Sequence, residues 1–546
     1  MEYFDIVLVI ILLILSAVLW FMAGICDRLK NSKWKLIWLA PAVLCCLLMT
    51  ISGMDKGLIF AYLGTLILCT GFFTEKMNIR RMLSIISAVT VLATIPLCLC
   101  TDIYRRDDYT GDFKEIFKEA KKRYVLTKHK GINWDELYNK YLPQFEKATK
   151  DNDAEENYIT WAKLCAEFND GHVGYTTKES IVDDAEKRAA GNDHGLVIMK
   201  LSDGRFVALN TDLSVQKLGI HQLTEITSWN GMSVDEADKM SEFSLMKGYA
   251  DIDNEKFYEG IYAAGTGEGS VEVGYIDDEG NNKIAVLPVL NDDYYSRLEE
   301  VLKKVNQSIP EANMTVKMLD ETTAGLRICA MSYNADSQKN EDYKSLKTKL
   351  KNDLLDMKEQ GMKDLIIDIR GNSGGSGGMV SAIAEILAPT GEHFYAADPV
   401  WDRMTNSYKK DENGDYVFDH EVTFKGSDIL NGGKIIILVN SASVSAADHI
   451  TKIMSGFDNV TVIGFTEPNG SAMGVSRISG EYGSLYLSSS VLLDKDGSIF
   501  IDSGKDRQSG DDLDIKIPFD EEAVRQIFDN DKDYLLEKAK EVIAKQ

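Results

Sequence analysis

The run Lys434-Ile-Ile-Ile-Leu-Val439 is apolar and mostly β-branched after its first residue, which predicts a strand buried on both faces. It leads into Asn440-Ser-Ala-Ser-Val-Ser-Ala-Ala-Asp448 and then His449-Ile-Thr-Lys-Ile-Met454, which reads as the opening of a helix. A chain that turns from buried strand to helix within a few small residues belongs to an α/β layer. A serine at such a turn can expose its hydroxyl while the N–H groups that open the helix point at developing negative charge. Small hydroxyl residues also serve as plain helix N-caps, so partner motifs have to decide between the two.

Two partners are present. The first is Asp364-Leu-Ile-Ile-Asp-Ile-Arg-Gly-Asn-Ser-Gly-Gly375, a second apolar strand running into a glycine-rich turn where backbone can approach a ligand closely. No Gly-Lys-Ser/Thr follows it, which disfavours a phosphate loop. The second is Asp170-Gly171-His172, a turn at the end of a helical segment. A histidine far in sequence from a serine is the usual disposition of a base and its nucleophile, and its unperturbed pKa suits proton transfer at neutral pH.

The remaining soluble chain divides by texture. Residues 105–190 are largely helical, with apolar stripes at Phe113, Ile116 and Phe117 and at Trp134, Leu137 and Tyr141. Residues 191–300 are strand-like, and within them a strand ends in Asn230-Gly231 and re-enters through Val234 before a helix. That segment resembles one in PDZ domains, which bind extended peptides by adding them to a sheet edge. Residues 291–322 read as a connector. From 315 to 546, strands alternate with helices, as in a parallel α/β core.

The first hundred residues differ from everything after them. Four uncharged stretches, 6–26, 36–54, 57–74 and 82–101, approach the roughly 20 residues of a membrane-spanning helix. Arg28, Lys30, Lys33 and Lys35 in the first connection, and Lys76, Arg80 and Arg81 in the third, would place those loops in the cytoplasm. The expectation is a four-helix transmembrane anchor over 1–104, a multi-pass cell-membrane location, the lipid bilayer as a partner, and the large C-terminal part extracytoplasmic. Beyond residue 104 the chain carries 52 Lys or Arg against 79 Asp or Glu, a net of −27, which argues against nucleic-acid partners. Only Cys165 and Cys329 of the eight cysteines lie in that part, too few for a disulfide framework. No metal-ligand spacing appears, and no cofactor or metal is expected.

The three motifs in this order resemble the tail-specific (carboxyl-terminal processing) and tricorn-like serine peptidases over about residues 110–546. The resemblance implies a fold of helical N-terminal part, PDZ-like β-rich insert and α/β (crotonase-like) catalytic core. It also implies an endopeptidase acting on exposed or unfolded polypeptides through an acyl-enzyme. Its nucleophile falls on Ser445, three residues before Asp448, rather than on Ser443 or Ser441. Members with a Ser–Lys dyad carry a lysine where this chain has Gly470, so the Asp-Gly-His branch applies and His172 is the expected base. The orienting acid of that branch aligns near Arg507, which cannot serve; Asp506 is the expected residue, with Asp502 second. The oxyanion hole is expected from the Ala446 N–H and the Gly374 N–H. A catalytically inactive protein of the same fold, binding peptides or apolar ligands, is the alternative. The oligomeric state is left open.

Overall fold

The computed structural model describes residues 11, 14, 15, 17, 18, 76–92, 107–306, 314–332, 343–405, 407–508 and 513–545. The chain forms two compact units, Met1–Asp107 and Asp108–Gln546. In the first, the described helix is Met77–Leu92, with 16 residues. Among the described residues no helix is long and apolar enough to cross a membrane. The expected four-helix transmembrane anchor is corrected on this finding, and with it the multi-pass location and the bilayer as partner. Most of the stretches 6–26, 36–54 and 57–74, and residues 93–101 of the fourth, lie outside the described residues.

The second unit is built around one six-stranded sheet. Its strands are β1 (Met314–Met318), β2 (Thr323–Ile328), β3 (Asp364–Asp368), β4 (Ile435–Leu438), β5 (Val460–Gly464) and β6 (Ile515–Lys516), laid out in the order β6-β5-β4-β3-β2-β1. From β2 to β6 every neighbouring pair is parallel, and only β1 runs antiparallel at the edge. All four residues of β4 are buried, as a strand covered by helices on both faces requires. The buried side chains of Gly377–Leu387 and Ala446–Ser455, the helices that follow β3 and β4, extend that core. Because β3 and β4 are adjacent and parallel, the turns at their carboxyl ends come out side by side, where open α/β sheets place their ligands.

The N-terminal helices α1 (Tyr109–Arg123), α2 (Trp134–Asp151) and α3 (Ala154–Ala166) pack through aromatic rings. Phe113 stacks on Phe145 with centroids 4.2 Å apart, and Trp161 stacks on Tyr175 at 4.8 Å. After α3 the chain passes through the Asp-Gly-His turn into Gly174–Thr176, which pairs antiparallel with Ser484–Ser488. That pairing ties the helical part to the C-terminal half of the chain. The insert holds a hairpin, Val197–Lys200 with Phe206–Leu209, and a three-stranded antiparallel sheet of Ile226–Trp229, Val271–Ile276 and Asn282–Leu287. Asn230 and Gly231 both take positive φ, as the tight turn read from the sequence requires. The expected connector over 291–322 instead contains the helix Tyr294–Asn306 and strand β1.

Candidate active site

Ser445 sits where the turn after β4 becomes a helix, at φ +64° and ψ −116°, as N-cap of Ala446–Ser455. A non-glycine residue there carries strain of about 1–3 kcal/mol, which persists only when the surroundings over-determine it. The surroundings do so. The Ser445 N–H donates to Ser471 O at 3.0 Å, Val444 N–H to Asn372 O at 2.9 Å, and His449 N–H to Ser445 O at 3.0 Å. Ser445 stays half-exposed and its hydroxyl makes no capping hydrogen bond.

The neighbouring serines are occupied. Ser443 is fully buried; its Oγ donates to Ile369 O at 2.9 Å and accepts the Asn440 N–H at 3.1 Å. The Ser441 hydroxyl lies 2.9 Å from the Tyr258 hydroxyl.

The glycine turn after β3 abuts Ser445. A Cβ on Gly374 would stand 2.5 Å from Ser445 Cβ and 3.0 Å from Ala446 N, and Gly374 has φ +87°. Gly374→Ala should therefore displace the serine and lower kcat/KM by roughly 10²-fold, the scale of a 1 Å misplacement. Steady-state kinetics beside a thermal melt would separate that loss from unfolding. The Gly374 N–H, expected as an oxyanion donor, is engaged with Asn372 Oδ1 at 2.9 Å. The Gly375 and Ala446 N–H groups have no acceptor among the described residues. The arginine of the same motif is structural: Arg370 is buried and pairs with Asp368 and Asp533, each at 2.7 Å.

His172 is brought to this site by Ser471. While Ser471 O accepts from Ser445, Ser471 Oγ accepts the Gly171 N–H at 2.8 Å, so one residue holds the serine and the Asp-Gly-His turn in register. Asp170 caps the turn by accepting the His172 N–H on Oδ1 at 2.9 Å. Its Oδ2 accepts from the Tyr124 and Ser488 hydroxyls, both at 2.9 Å. The His172 ring nitrogen Nδ1 is buried without a hydrogen-bond partner. Burial holds the imidazole below the ordinary histidine value; Asp170 opposes that and Lys130 adds to it.

The two candidate acids differ sharply. Asp506 is exposed, and its Oδ1 accepts only the Gln508 N–H at 3.4 Å. The Asp502 side chain is wholly inaccessible, with Oδ2 accepting the Ala472 N–H at 3.0 Å and Oδ1 lacking a hydrogen-bond partner. Burial, reinforced by the charge of Asp170, pushes Asp502 up to about 7 against the pull of Lys130 and the Ala472 and Met473 N–H groups. Neither acid is hydrogen-bonded to His172.

Gly470, standing where a dyad lysine would be, belongs to the segment that locks these pieces together. Its N–H donates to Asp448 Oδ1 at 2.8 Å, and its carbonyl accepts from Ser503 N–H at 3.2 Å. Beside it, Ala472 O accepts from His449 Nε2 at 2.8 Å, and His449 Nδ1 accepts from the Tyr395 hydroxyl at 2.8 Å. Burial, with Ala472 O opposing and His172 assisting, pushes His449 down to about 4, so it stays neutral at physiological pH. Sequence reading missed Ser471, His449 and the buried Lys130. No motif marks them, and only tertiary contact gives them a place here.

Among the described residues no group of His, Cys, Asp and Glu side chains could hold a metal ion. The family model for peptidase family S41 matches residues 324–504, the stretch containing both the glycine turn and Ser445. The tricorn protease C1 domain matches residues 105–156, in the helical part. No curated protein matches the chain in sequence. Among solved structures, mature CPAF complexed with lactacystin is similar, with TM-score 0.50 and 12% identity over 80% of this chain and 99% of that one. The photosystem II D1 C-terminal processing protease gives a TM-score of 0.33 and 16% identity over 73% of this chain and 91% of that one. The S41 match over residues 324–504 and the tricorn C1 match over residues 105–156 support a tail-specific, tricorn-like serine-type peptidase, and the fold is one it shares with CPAF.

Proposed function

We propose that the chain hydrolyses exposed or unfolded polypeptides through an acyl-enzyme, with Ser445 as nucleophile and His172 as its base. One observation carries this reading. The strained, half-exposed Ser445 is coupled through Ser471 to the turn that bears His172, while Ser441 and Ser443 are bound elsewhere.

Ser445 Oγ attacks the peptide carbonyl carbon as its proton passes to His172. The resulting oxyanion accepts from the Ala446 N–H and from the glycine turn, where Gly375 has the unengaged donor. The tetrahedral intermediate then collapses, the C–N bond breaks, and His172 returns the proton to the leaving amine. Water, deprotonated by His172, cleaves the ester by the reverse sequence. We assign the carboxylate that favours the imidazolium to the buried Asp502 rather than to the exposed Asp506.

The insert is proposed to take substrate as an added strand. In support, Asn282–Leu287 is an edge strand of its three-stranded sheet, with Ile284 and Val286 exposed. A fluorophosphonate probe should label the wild type and leave Ser445→Ala unlabelled. An unfolded polypeptide should be cleaved while the same chain, folded, resists. Labelling of Ser445→Ala, or equal cleavage of both substrates, would remove the reading.

A further inference from the structure

Outside the motifs, one lysine is buried. Lys130 ends the short helix Thr127–Lys130, and its side chain is only 1% accessible. In sequence it belongs to Thr-Lys-His-Lys, which looks like a solvated cationic face. Its Nζ instead donates to Asn169 O at 2.8 Å and to Ser503 Oγ at 2.9 Å, and lies 3.9 Å from Asp502 Oδ1. Asn169 immediately precedes the Asp-Gly-His turn, and Ser503 follows Asp502.

We propose that Lys130 is a positioning residue of the peptidase site: its buried ammonium pins the Asp-Gly-His turn to the Asp502–Ser503 segment and supplies the positive charge that balances two buried carboxylates, Asp170 and Asp502. The proposal rests on His172 as the base. Two like charges in one buried site repel, and an unpaired buried carboxylate takes up a proton rather than remain ionised. A single lysine, lodged between the strands of contact that hold both acids, offsets that repulsion.

The charged and titratable groups around it come from every neighbouring segment. Asp170, with the Tyr124 hydroxyl on its Oδ2, and His172 come from the turn and from the end of α1. Asp502 and Asp506 come from the C-terminal segment, with His129 Nε2 2.8 Å from Asp502 O. His449 comes from the helix after Ser445. Lys128, on the same short helix, is paired with Asp415 at 2.7 Å. The directions agree: Lys130 holds both Asp502 and His172 down, so its removal raises both.

The experiment compares wild type, Lys130→Met, Lys130→Arg and the double variant Lys130→Met/Asp502→Asn. In Lys130→Met the acid limb of kcat/KM should move to higher pH, lowering kcat/KM at pH 7 by roughly tenfold or more, the effect of removing one close charge. Lys130→Arg keeps the charge and should keep the wild-type midpoint. Lys130→Met should also lose more thermal stability at pH 8 than at pH 5.5. The sign follows from Asp502: its folded value exceeds the ordinary 3.8, so stability is lost as pH rises through the folded value, and losing Lys130 widens that window. Adding Asp502→Asn should abolish this pH difference and restore folding if Lys130→Met alone is too unstable to assay. An unmoved midpoint, an Arg variant shifted as far as Met, or a melting loss that Asp502→Asn leaves in place would each overturn the proposal. If His172→Ala were active, the choice of base would be wrong, and the melting comparison would still test the charge balance by itself.

Discussion

Ser445→Ala is expected to lower kcat/KM by about 10⁶-fold, the loss seen when a triad nucleophile is removed, with little change in melting temperature. The two halves of that result have separate causes. The hydroxyl makes no capping bond, so folding loses nothing with it. The backbone N–H and carbonyl that fix the turn remain, to Ser471 and His449, whatever the side chain. Ser445→Gly extends the argument. Glycine takes φ +64° without a Cβ penalty, so this variant should be as inactive as Ser445→Ala yet more stable, by about 1–2 kcal/mol. Ser443→Ala should behave in the opposite way. It leaves the buried Asn440 N–H without its partner, at a cost of about 1–3 kcal/mol, whereas Ile369 O keeps the Asn372 N–H, and kcat/KM of the folded protein stays within a few-fold of wild type. Kinetics and melts on these three variants check the assignment. An inactive Ser443→Ala beside an active Ser445→Ala would shift the nucleophile by two residues.

Much of this site was legible because strand, turn and helix leave distinct local marks. The Ile-rich run announced β4, and the small residues after it announced a turn too tight for anything but an exposed serine or a cap. The glycines of the second motif announced a close approach, and Gly374 does lie against Ser445. Which N–H of that turn remains unengaged was not legible, because the answer depends on Asn372 folding its side chain back onto Gly374. The difference between Asp502 and Asp506 was not legible for a similar reason. Both are acids on one segment four residues apart, and only contact with Ala472 and Lys130 makes one interior and the other solvated. Lys130 was invisible because a lysine beside other basic residues reads as surface until the fold buries it. The helix Tyr294–Asn306 was legible but passed over: Tyr294, Leu298, Val301 and Val305 repeat at helical spacing and are buried. In the first hundred residues, hydropathy suggested membrane helices, whereas among the described residues no helix is long and apolar enough to cross a membrane.

His172→Ala should lose nearly as much activity as Ser445→Ala, and the double variant little more, because nucleophile and base act on one proton. The pH dependence is the sharper test. A base must be neutral to accept the serine proton, so kcat/KM rises with pH through the free-enzyme pKa of His172. Burial holds that value below the ordinary 6.5, with Lys130 adding to the effect and Asp170 opposing it. Lowering a histidine's pKa extends its neutral form toward acid pH, so the His172 limb should lie below 6.5. A limb nearer 7 would belong to Asp502, which burial pushes up to about 7 and whose anion favours the imidazolium formed in each step. Because charges in one cluster titrate together, the two limbs are macroscopic, and a variant is needed to divide them. Asp502→Asn should remove the upper limb and leave the lower. The remaining limb must vanish with His172→Ala, since His449 is buried, bound at both ring nitrogens and pushed down to about 4, leaving it unable to take over as base. Near-wild-type cleavage by His172→Ala, with either limb intact, would place the base elsewhere in the chain.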